Sequence, residues 1–350
     1  MKKFILMVIS AIIAFSTAIP YVSAESESDY STYQNNVGLL TALGVISKDI
    51  DTSDMNASAQ RAYLMDMAVG LRNIRSMTVS SSGFSDVTET TKCADSIKIA
   101  KAIGITDKSD DGLFHPEEQV KEIEAYKVVL NILGYDPIIV STANNDGYYK
   151  AAATANLSKN IIADENGCLT MEQLVRLFTN ALSAEVMYRF SGNSYATNGT
   201  VALEEFSGIY SGTGQISSIY DRNTNDGYIK RTDKIYVDGV EYLFNKNESI
   251  EQYLGYEIKY YYKELDNDEL EIIYMSPTRR NSSVTIEYSS IYSYENGELK
   301  YDSGKEQKAR IETNVVILNG VSEIIGNQSF DFSGYDGGYV KLIDSDGNGK

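Results

Sequence analysis

The feature that most constrains the fold of this chain is an internal repeat in its first half. Three segments share one plan, in which a short helix is followed by a polar loop and an amphipathic second helix. The first helix ends at residues 39–46 in the first unit and 99–105 in the second, and the second helices begin near Ala59 and Val120. The third unit, from residue 136, is a shorter and weaker copy. Units this small cannot each bury a core, so we expect them to pack on one another.

The hydrophobic pattern changes near residue 184, which predicts two kinds of structure. Before it, apolar residues recur at the spacing of a helix, and after it the period approaches two, as in a half-buried strand. We therefore predict a multidomain α plus β chain. An N-terminal, mainly helical three-repeat module covers residues 30–183, and a C-terminal antiparallel all-β region covers 184–350. The predicted repeats span about 30–78, 84–135 and 136–183.

The second half contains clear hairpin signals and most of the 27 tyrosines of the chain. Asp238-Gly239 separates two alternating runs and predicts a tight turn. Residues 256–263 and 269–274 predict a strand and its partner. Further strands are predicted at 284–288, 315–318 and 339–343. Tyrosine suits a half-buried pleated surface because its ring packs while its hydroxyl stays wet. A carbohydrate-binding platform is the alternative interpretation.

The middle repeat carries a specific motif. Residues 84–87 read F-S-D-V, a predicted helix ends in the Gly104-Ile105 pair, and the loop at 111–116 reads D-G-L-F-H-P. In that loop Phe114 is suited to anchor the turn in the core, and Pro116 stiffens the approach to the next helix. The order and spacing of these motifs resemble an S-layer homology repeat. The flanking units share the plan, so the resemblance covers roughly residues 30–183.

This resemblance implies a ligand and a site. S-layer homology triplets bind secondary cell-wall polysaccharide, and an arginine in a T-R-A-E-like tetrad grips an anionic sugar at a groove between repeats. The tetrads here begin at Gln60, Lys121 and Thr170, and only the first keeps the arginine, as Arg61. Glu122 and Met171 occupy the equivalent positions of the other units.

The candidate polysaccharide-binding residues are therefore Arg61, Gln60, Lys121 and Thr170, around one working groove. Glu122 would repel a carboxylate, and the neighbouring Lys121 would partly compensate. The alternative is that Arg61 is an ordinary residue of a helix surface and that the triplet is a degenerate structural module.

The N-terminus predicts export. Lys2 and Lys3 precede an apolar stretch from residue 4 to 19, and small residues end at Ala24, as in a cleaved secretory signal peptide spanning 1–24. We expect a secreted protein of the cell surface or cell wall, with no transmembrane span after cleavage. A net charge of -18 and a pI near 4.5 argue against nucleic acid as a partner. The expected partners are cell-wall polysaccharide and other surface-layer proteins.

Little in the sequence predicts catalysis or a resident cofactor. His115 is the only histidine, and no phosphate loop, zinc spacing or nucleophile motif is present. Cys93 and Cys168 lie in different units, so we expect free thiols rather than a disulfide.

The terminal run supplies oxygen atoms at Asp344, Asp346 and Asn348, as at the start of a calcium loop, but without a closing carboxylate. The missing carboxylate indicates either a plain polar tail or a chain whose natural sequence continues. Residues 338–343 look like a strand without a return strand, which favours a natural chain that continues past Lys350.

These observations predict a non-catalytic surface protein of the cell envelope. It attaches to secondary cell-wall polysaccharide, or assembles in the surface layer, through its repeats. The alternatives are the anchoring front end of a larger carbohydrate-active enzyme and a β module that itself binds glycans.

Overall fold

The chain forms two compact units, Met1–Gly199 and Thr200–Lys350. The computed structural model describes residues 24–106, 111–140, 144–223, 227–230, 233–244, 250–311, 315–318, 321–324 and 338–348. The predicted signal peptide therefore lies outside the described residues, apart from Ala24. Within the described part of the chain, no helix combines the length and the apolar character that a membrane crossing requires.

The first unit is built from helices that follow the predicted repeats. Its helices are α1 (Ala24–Ala42), α2 (Arg61–Leu71), α3 (Ala94–Ala102), α4 (Glu122–Ile132), α5 (Asp146–Thr154) and α6 (Met171–Leu182). All eleven residues of α2 are buried, and this helix contacts α3, α4 and α6. A helix that is buried on every side is a core element, so α2 is the centre of this unit.

The first helix of each repeat ends in the same way. Gly44 and Gly104 have φ angles of 72° and 79°, and Asn156 has a φ of 58° at the equivalent place. The next residue then donates its N–H to a carbonyl five residues earlier, as Ile105 does to Ala100 at 3.0 Å. Glycine and asparagine tolerate this left-handed conformation, which explains why the third repeat keeps the turn without a glycine.

The three repeats meet in a closed ring of backbone hydrogen bonds. Val120 N–H donates to Ala59 C=O (2.8 Å), Ala59 N–H to Leu169 C=O (3.0 Å), and Leu169 N–H to Val120 C=O (2.9 Å). All three residues are fully buried. Each repeat therefore satisfies backbone groups of the other two, since buried amides and carbonyls require partners. The prediction that the repeats pack on one another is confirmed.

A hairpin follows the helices. Its strands are β1 (Glu185–Ser191) and β2 (Ser194–Val201). Met187 N–H donates to Leu133 C=O at 2.8 Å, which attaches the hairpin to the end of α4. The predicted boundary at residues 183 and 184 thus coincides with the end of α6, while the compact unit continues through this hairpin to Gly199.

The second unit contains a closed five-stranded barrel with the strand order β3-β6-β7-β9-β8. These strands are β3 (Ile209–Ser218), β6 (Lys234–Val237), β7 (Val240–Leu243), β8 (Glu257–Glu264) and β9 (Leu270–Pro277). The barrel core consists of Ile216, Ile219, Ile235, Val237, Tyr242, Phe244, Ile258, Tyr260 and Ile272. The predicted hairpin is confirmed, because Asp238 and Gly239 have φ angles of 48° and 79° between the paired residues Val237 and Val240.

The second unit also contains several smaller sheets. The remaining strands are β4 (Tyr220–Asn223), β5 (Gly227–Lys230), β10 (Ser282–Glu287), β11 (Ile291–Glu295), β12 (Glu298–Asp302), β13 (Glu306–Arg310), β14 (Val315–Leu318), β15 (Val321–Ile324) and β16 (Tyr339–Asp344). They form the sheets β4-β5, β10-β16, β11-β12-β13 and β14-β15.

Short helices and one parallel strand pair differ from the prediction of an antiparallel all-β region; the helices include the 3-10 turns Ile250–Tyr253 and Tyr288–Ser290. A short helix, α7 (Ala202–Ser207), precedes β3, and β7 pairs with β9 in parallel through Leu243 and Glu271. The parallel pair has a topological cause, since a closed ring with an odd number of strands cannot alternate direction throughout.

The expectation of an unpaired strand near the end of the sequence is wrong. β16 pairs with β10 along its whole length, from Ser282 opposite Asp344 to Glu287 opposite Tyr339. The partner is about sixty residues away in sequence, so local pattern analysis had no means of finding it.

Phe114 should be the main anchor of the loop before α4. Its side chain is fully buried, and its ring centroid lies 5.3 Å from that of Phe84. We predict that Phe114→Ala lowers the free energy of unfolding of the first unit by about 3–5 kcal/mol, measured by urea titration of helical circular dichroism. Phe190→Ala is the matched control, because Phe190 is 69% exposed in the same unit. Equal effects of the two substitutions would contradict this assignment.

Candidate functional site

The second residue of each tetrad occupies an equivalent place at a boundary between repeats. The backbone N–H of Arg61 donates to Glu118 C=O, that of Glu122 to Gly167 C=O, and that of Met171 to Ala57 C=O, at 2.8–2.9 Å. The backbone is therefore close to threefold symmetric at these boundaries, while the three side chains differ in charge and polarity.

The side chain of Arg61 connects the first repeat to the second. Its Nε donates to Oε1 of Glu124 at 2.8 Å, and Nη1 lies 3.4 Å from Oε2 of Glu118. The guanidinium also lies over the ring of Phe114, 4.9 Å from the centroid. Only 10% of the side chain is exposed. Arg61 is thus held in one position by two carboxylates and an aromatic face, and its surroundings are not those of an ordinary residue of a helix surface.

A cleft of about 430 Å³ opens beside this ion pair. Its lining residues are Arg61, Ile105, Thr106, Lys121, Ile123, Glu124, Lys127 and Val128. Lys121 and Lys127 are exposed, and the ammonium of Lys127 lies 5.2 Å from the ring centroid of Tyr148. Three cations and one carboxylate line the cleft, which makes it locally positive in a chain whose net charge is -18. Such a cleft favours an anionic group.

Glu124 has an unusual environment for a carboxylate paired with arginine. Burial raises the pKa of Glu124, and the pairing with Arg61 only partly opposes this increase. A pKa displaced by desolvation beside a specific charge partner, at the wall of a cleft, is typical of functional sites.

Gln60 lines a different, more polar cleft of about 820 Å³. The lining residues are Gln60, Ala62, Asp86, Thr90, Thr91, Lys92, Leu113, His115, Pro116, Glu117 and Glu118. Glu118 connects the two clefts, because it lines this one and pairs with Arg61 of the other. The structure therefore places Arg61 and Lys121 together and Gln60 on the adjacent surface.

Thr170 has a structural role in the described geometry. Its backbone N–H donates to the side-chain oxygen of Gln173 (2.9 Å), and its hydroxyl accepts from the Gln173 N–H (3.4 Å). This reciprocal pair is a capping box at the start of α6. Thr170 does not line either cleft.

Asp86 links the F-S-D-V segment at 84–87 to the D-G-L-F-H-P loop at 111–116. Its carboxylate accepts the backbone N–H groups of Phe114 (3.0 Å) and His115 (2.7 Å). Desolvation acts to raise the pKa of Asp86, but these hydrogen bonds outweigh it and hold the pKa below its usual value. Asp86 therefore fixes the loop that presents Phe114 to Arg61.

The other sequence candidates form local contacts. Nε2 of His115 lies 2.7 Å from Oδ2 of Asp111. Oδ1 of Asp344 accepts the backbone N–H groups of Gly347 (2.8 Å) and Asn348 (3.2 Å), and Asn348 Nδ2 donates to Asp346 at 3.0 Å. Within the described ranges, no group of three or more His, Cys, Asp or Glu residues could hold a metal ion. Calcium binding by the terminal run stays a prediction.

Both cysteines are free thiols in this structure. Cys93 is buried, and burial raises its pKa to about 12. A thiol in this environment is unreactive, because the thiolate is the reactive form.

The comparisons with known proteins found a distant similarity over about half of the chain. No family model matches the chain. The chain is 25% identical over 198 residues to the "Middle cell wall protein" of Brevibacillus brevis (strain 47 / JCM 6285 / NBRC 100599). The alignment covers 53% of this chain and 18% of that relative. This distant similarity is compatible with a surface role in the cell envelope.

Sequence analysis missed Glu124 and Lys127, which line the cleft, and Glu118, which lines the adjacent cleft and pairs with Arg61. Glu124 had a usable signal, because it holds the last position of the second tetrad, where the S-layer homology pattern has glutamate. Glu118 and Lys127 had none, since only the docking of the first repeat on the second brings them near Arg61.

We predict that Asp86→Asn weakens the fold in a pH-dependent way. The folded-state pKa is lowered, so the carboxylate stabilises the fold above its unfolded pKa of about 3.9, and this contribution is lost as the pH falls through the folded pKa. The expected loss at pH 7 is about 1 kcal/mol, because the hydrogen bonds are charge-assisted but partly solvated. Urea titrations from pH 7 to pH 3 should show the difference from the parent chain shrinking. The exposed Glu89, as Glu89→Gln, is the control, and a pH-independent loss would argue against the assignment.

Proposed function

We propose that this chain is a non-catalytic surface protein of the cell envelope that attaches to secondary cell-wall polysaccharide through three S-layer-homology-like repeats. The second unit extends from the wall as a scaffold or adhesive surface. The observation that carries this proposal is the cationic cleft formed by Arg61, Lys121 and Lys127 where the first two repeats meet.

The arrangement of the repeats supports the proposal. In the family that the middle repeat resembles, ligands bind in grooves between docked repeats, and the ring through Ala59, Val120 and Leu169 creates such boundaries here. Among the residues that the structure describes, the boundary at Arg61 is the one whose cleft gathers three cations. The equivalent Glu122 accepts a hydrogen bond from Tyr126, and Met171 is buried. One binding cleft for each chain is therefore expected.

The charge of the cleft supports an anionic sugar as the ligand. Lys121 and Lys127 offer exposed ammonium groups, and Arg61 supplies a positioned guanidinium behind them. The apolar residues Ile105, Ile123 and Val128 offer surface for the nonpolar face of a sugar ring. The similarity to a cell wall protein favours the same location, although this chain spans less than a fifth of that relative.

A glycan-binding role of the second unit is the alternative that a specific observation favours. Tyr210 is 37% exposed, and its ring lies 5.7 Å from that of Tyr262, which also contacts Tyr242. Sugars can stack on such an aromatic surface. Tyr210→Ala should remove binding under this alternative and leave it intact under the proposal.

The proposal predicts that Lys121→Ala/Lys127→Ala weakens binding of the secreted chain to purified cell-wall sacculi. The expected loss is about tenfold, which corresponds to about 1.4 kcal/mol, and it should shrink at high salt because the contacts are exposed. Lysine variants are preferable to Arg61→Ala, because removing Arg61 also leaves Glu124 and Glu118 without their cation and weakens the fold.

Sedimentation with sacculi measures this binding, before and after extraction of the polysaccharide. Lys150→Ala/Lys159→Ala removes two exposed cations of the same unit that do not line the cleft, and it is the matched control. Equal binding by both double variants, or undiminished binding to extracted sacculi, would refute the proposal.

A further inference from the structure

We propose that the Arg61 cleft is gated by pH: Glu124 and Glu118 occupy the guanidinium in neutral conditions, and acidification releases it to an anionic ligand. This inference rests on the proposed function and adds a regulatory mechanism to the same cleft. The internal carboxylates act as a built-in competitor for the ligand.

The geometry sets up direct competition for two of the N–H donors of Arg61. Arg61 donates through Nε to Glu124 at 2.8 Å, and its Nη1 pairs with Glu118 at 3.4 Å. The ring of Phe114 covers one face of the guanidinium. A ligand carboxylate can therefore use these two N–H donors only if it displaces an internal carboxylate.

The two carboxylates are not equivalent competitors. Glu118 is 56% exposed, and its contact is the longer one, so solvent screens it. Glu124 is 29% exposed, makes the shorter contact and lines the cleft. Protonation of Glu124 should therefore control access to Arg61.

Burial and a neighbouring carboxylate make Glu124 easier to protonate than an ordinary solvent-exposed glutamate. Arg61 faces it from α2, and Glu118 faces it from the loop before α4. Lys121 directly precedes α4, Lys127 lies on α4, and both line the same cleft. Burial of the carboxylate raises its pKa, the negative charge of Glu118 adds to this effect, and Arg61 opposes both.

Linkage then determines the direction of the effect. When a ligand anion takes the guanidinium, Glu124 loses its cation and its pKa rises further, so binding takes up a proton from solvent. Affinity must therefore increase as the pH falls through the titration of Glu124. Above that range affinity reaches a lower plateau, at which Lys121 and Lys127 provide the remaining attraction.

The test is the affinity of the secreted chain for purified cell-wall polysaccharide between pH 5 and pH 7.5. We expect the parent chain to bind at least about fivefold more tightly at pH 5, within the usual range of coupling between two sites. Glu124→Gln keeps an oxygen acceptor for Arg61 but removes the charge. This variant should bind at pH 7.5 as tightly as the parent chain does at pH 5, with a flatter pH profile.

Glu117→Gln is the matched control. Glu117 is exposed, lines the adjacent cleft and precedes Glu118, so the substitution makes the same change in net charge. It should leave the pH profile of the parent chain unchanged. A Glu124→Gln profile that matches those of the parent chain and Glu117→Gln would overturn the gate while leaving polysaccharide binding in place. Absence of binding by every form at every pH would refute the proposed function and the gate together.

The pH gate can also be tested on the unsubstituted chain. The carboxyl carbon of Glu124, followed by NMR, should titrate at a higher pH when saturating polysaccharide is present. The Nε–H resonance of Arg61 should shift with the same midpoint in the free protein. A Glu124 midpoint that the polysaccharide leaves unchanged, or lowers, would overturn the proposal.

Discussion

Three hydrogen bonds link Ala59, Val120 and Leu169 into a closed cycle at the centre of the helical unit. Each of these residues is fully buried, so each of their N–H and C=O groups must find its partner within the protein. No single repeat can supply those partners by itself. The cycle therefore requires all three repeats to dock. It also determines where the next helix of each repeat begins.

The same cycle brings together side chains that are distant in sequence. It places Arg61 against Glu118 and Glu124, about sixty residues further along the chain. The symmetric backbone then carries three different boundaries. One has an ion pair next to a cationic cleft, one has Glu122 hydrogen-bonded to Tyr126, and one has a buried methionine at position 171. The asymmetry of function proposed for this module follows from these side chains and not from the fold.

Local patterns predicted the elements well where their cause is local. The apolar stripes correspond to α2, α3, α4 and α6, and Asp238-Gly239 forms the predicted turn because its left-handed backbone suits these two residues. Features with a distant cause were missed. The parallel contact between β7 and β9 arises from closing a five-stranded ring, and the pairing of β16 with β10 joins strands about sixty residues apart.

The sequence alone determined the repeats, the loop anchor Phe114 and the choice of Arg61 as the residue of interest, since each depends on spacing or residue type within one segment. Only the tertiary structure decided what Arg61 contacts, that Gln60 and Thr170 lie away from its cleft, and that Lys127 and Glu124 belong to it. The physical reason is that charge and burial at a boundary depend on which surfaces meet. Those surfaces come from separate repeats, so the contacts between their side chains depend on docking and not on the pattern within any one repeat.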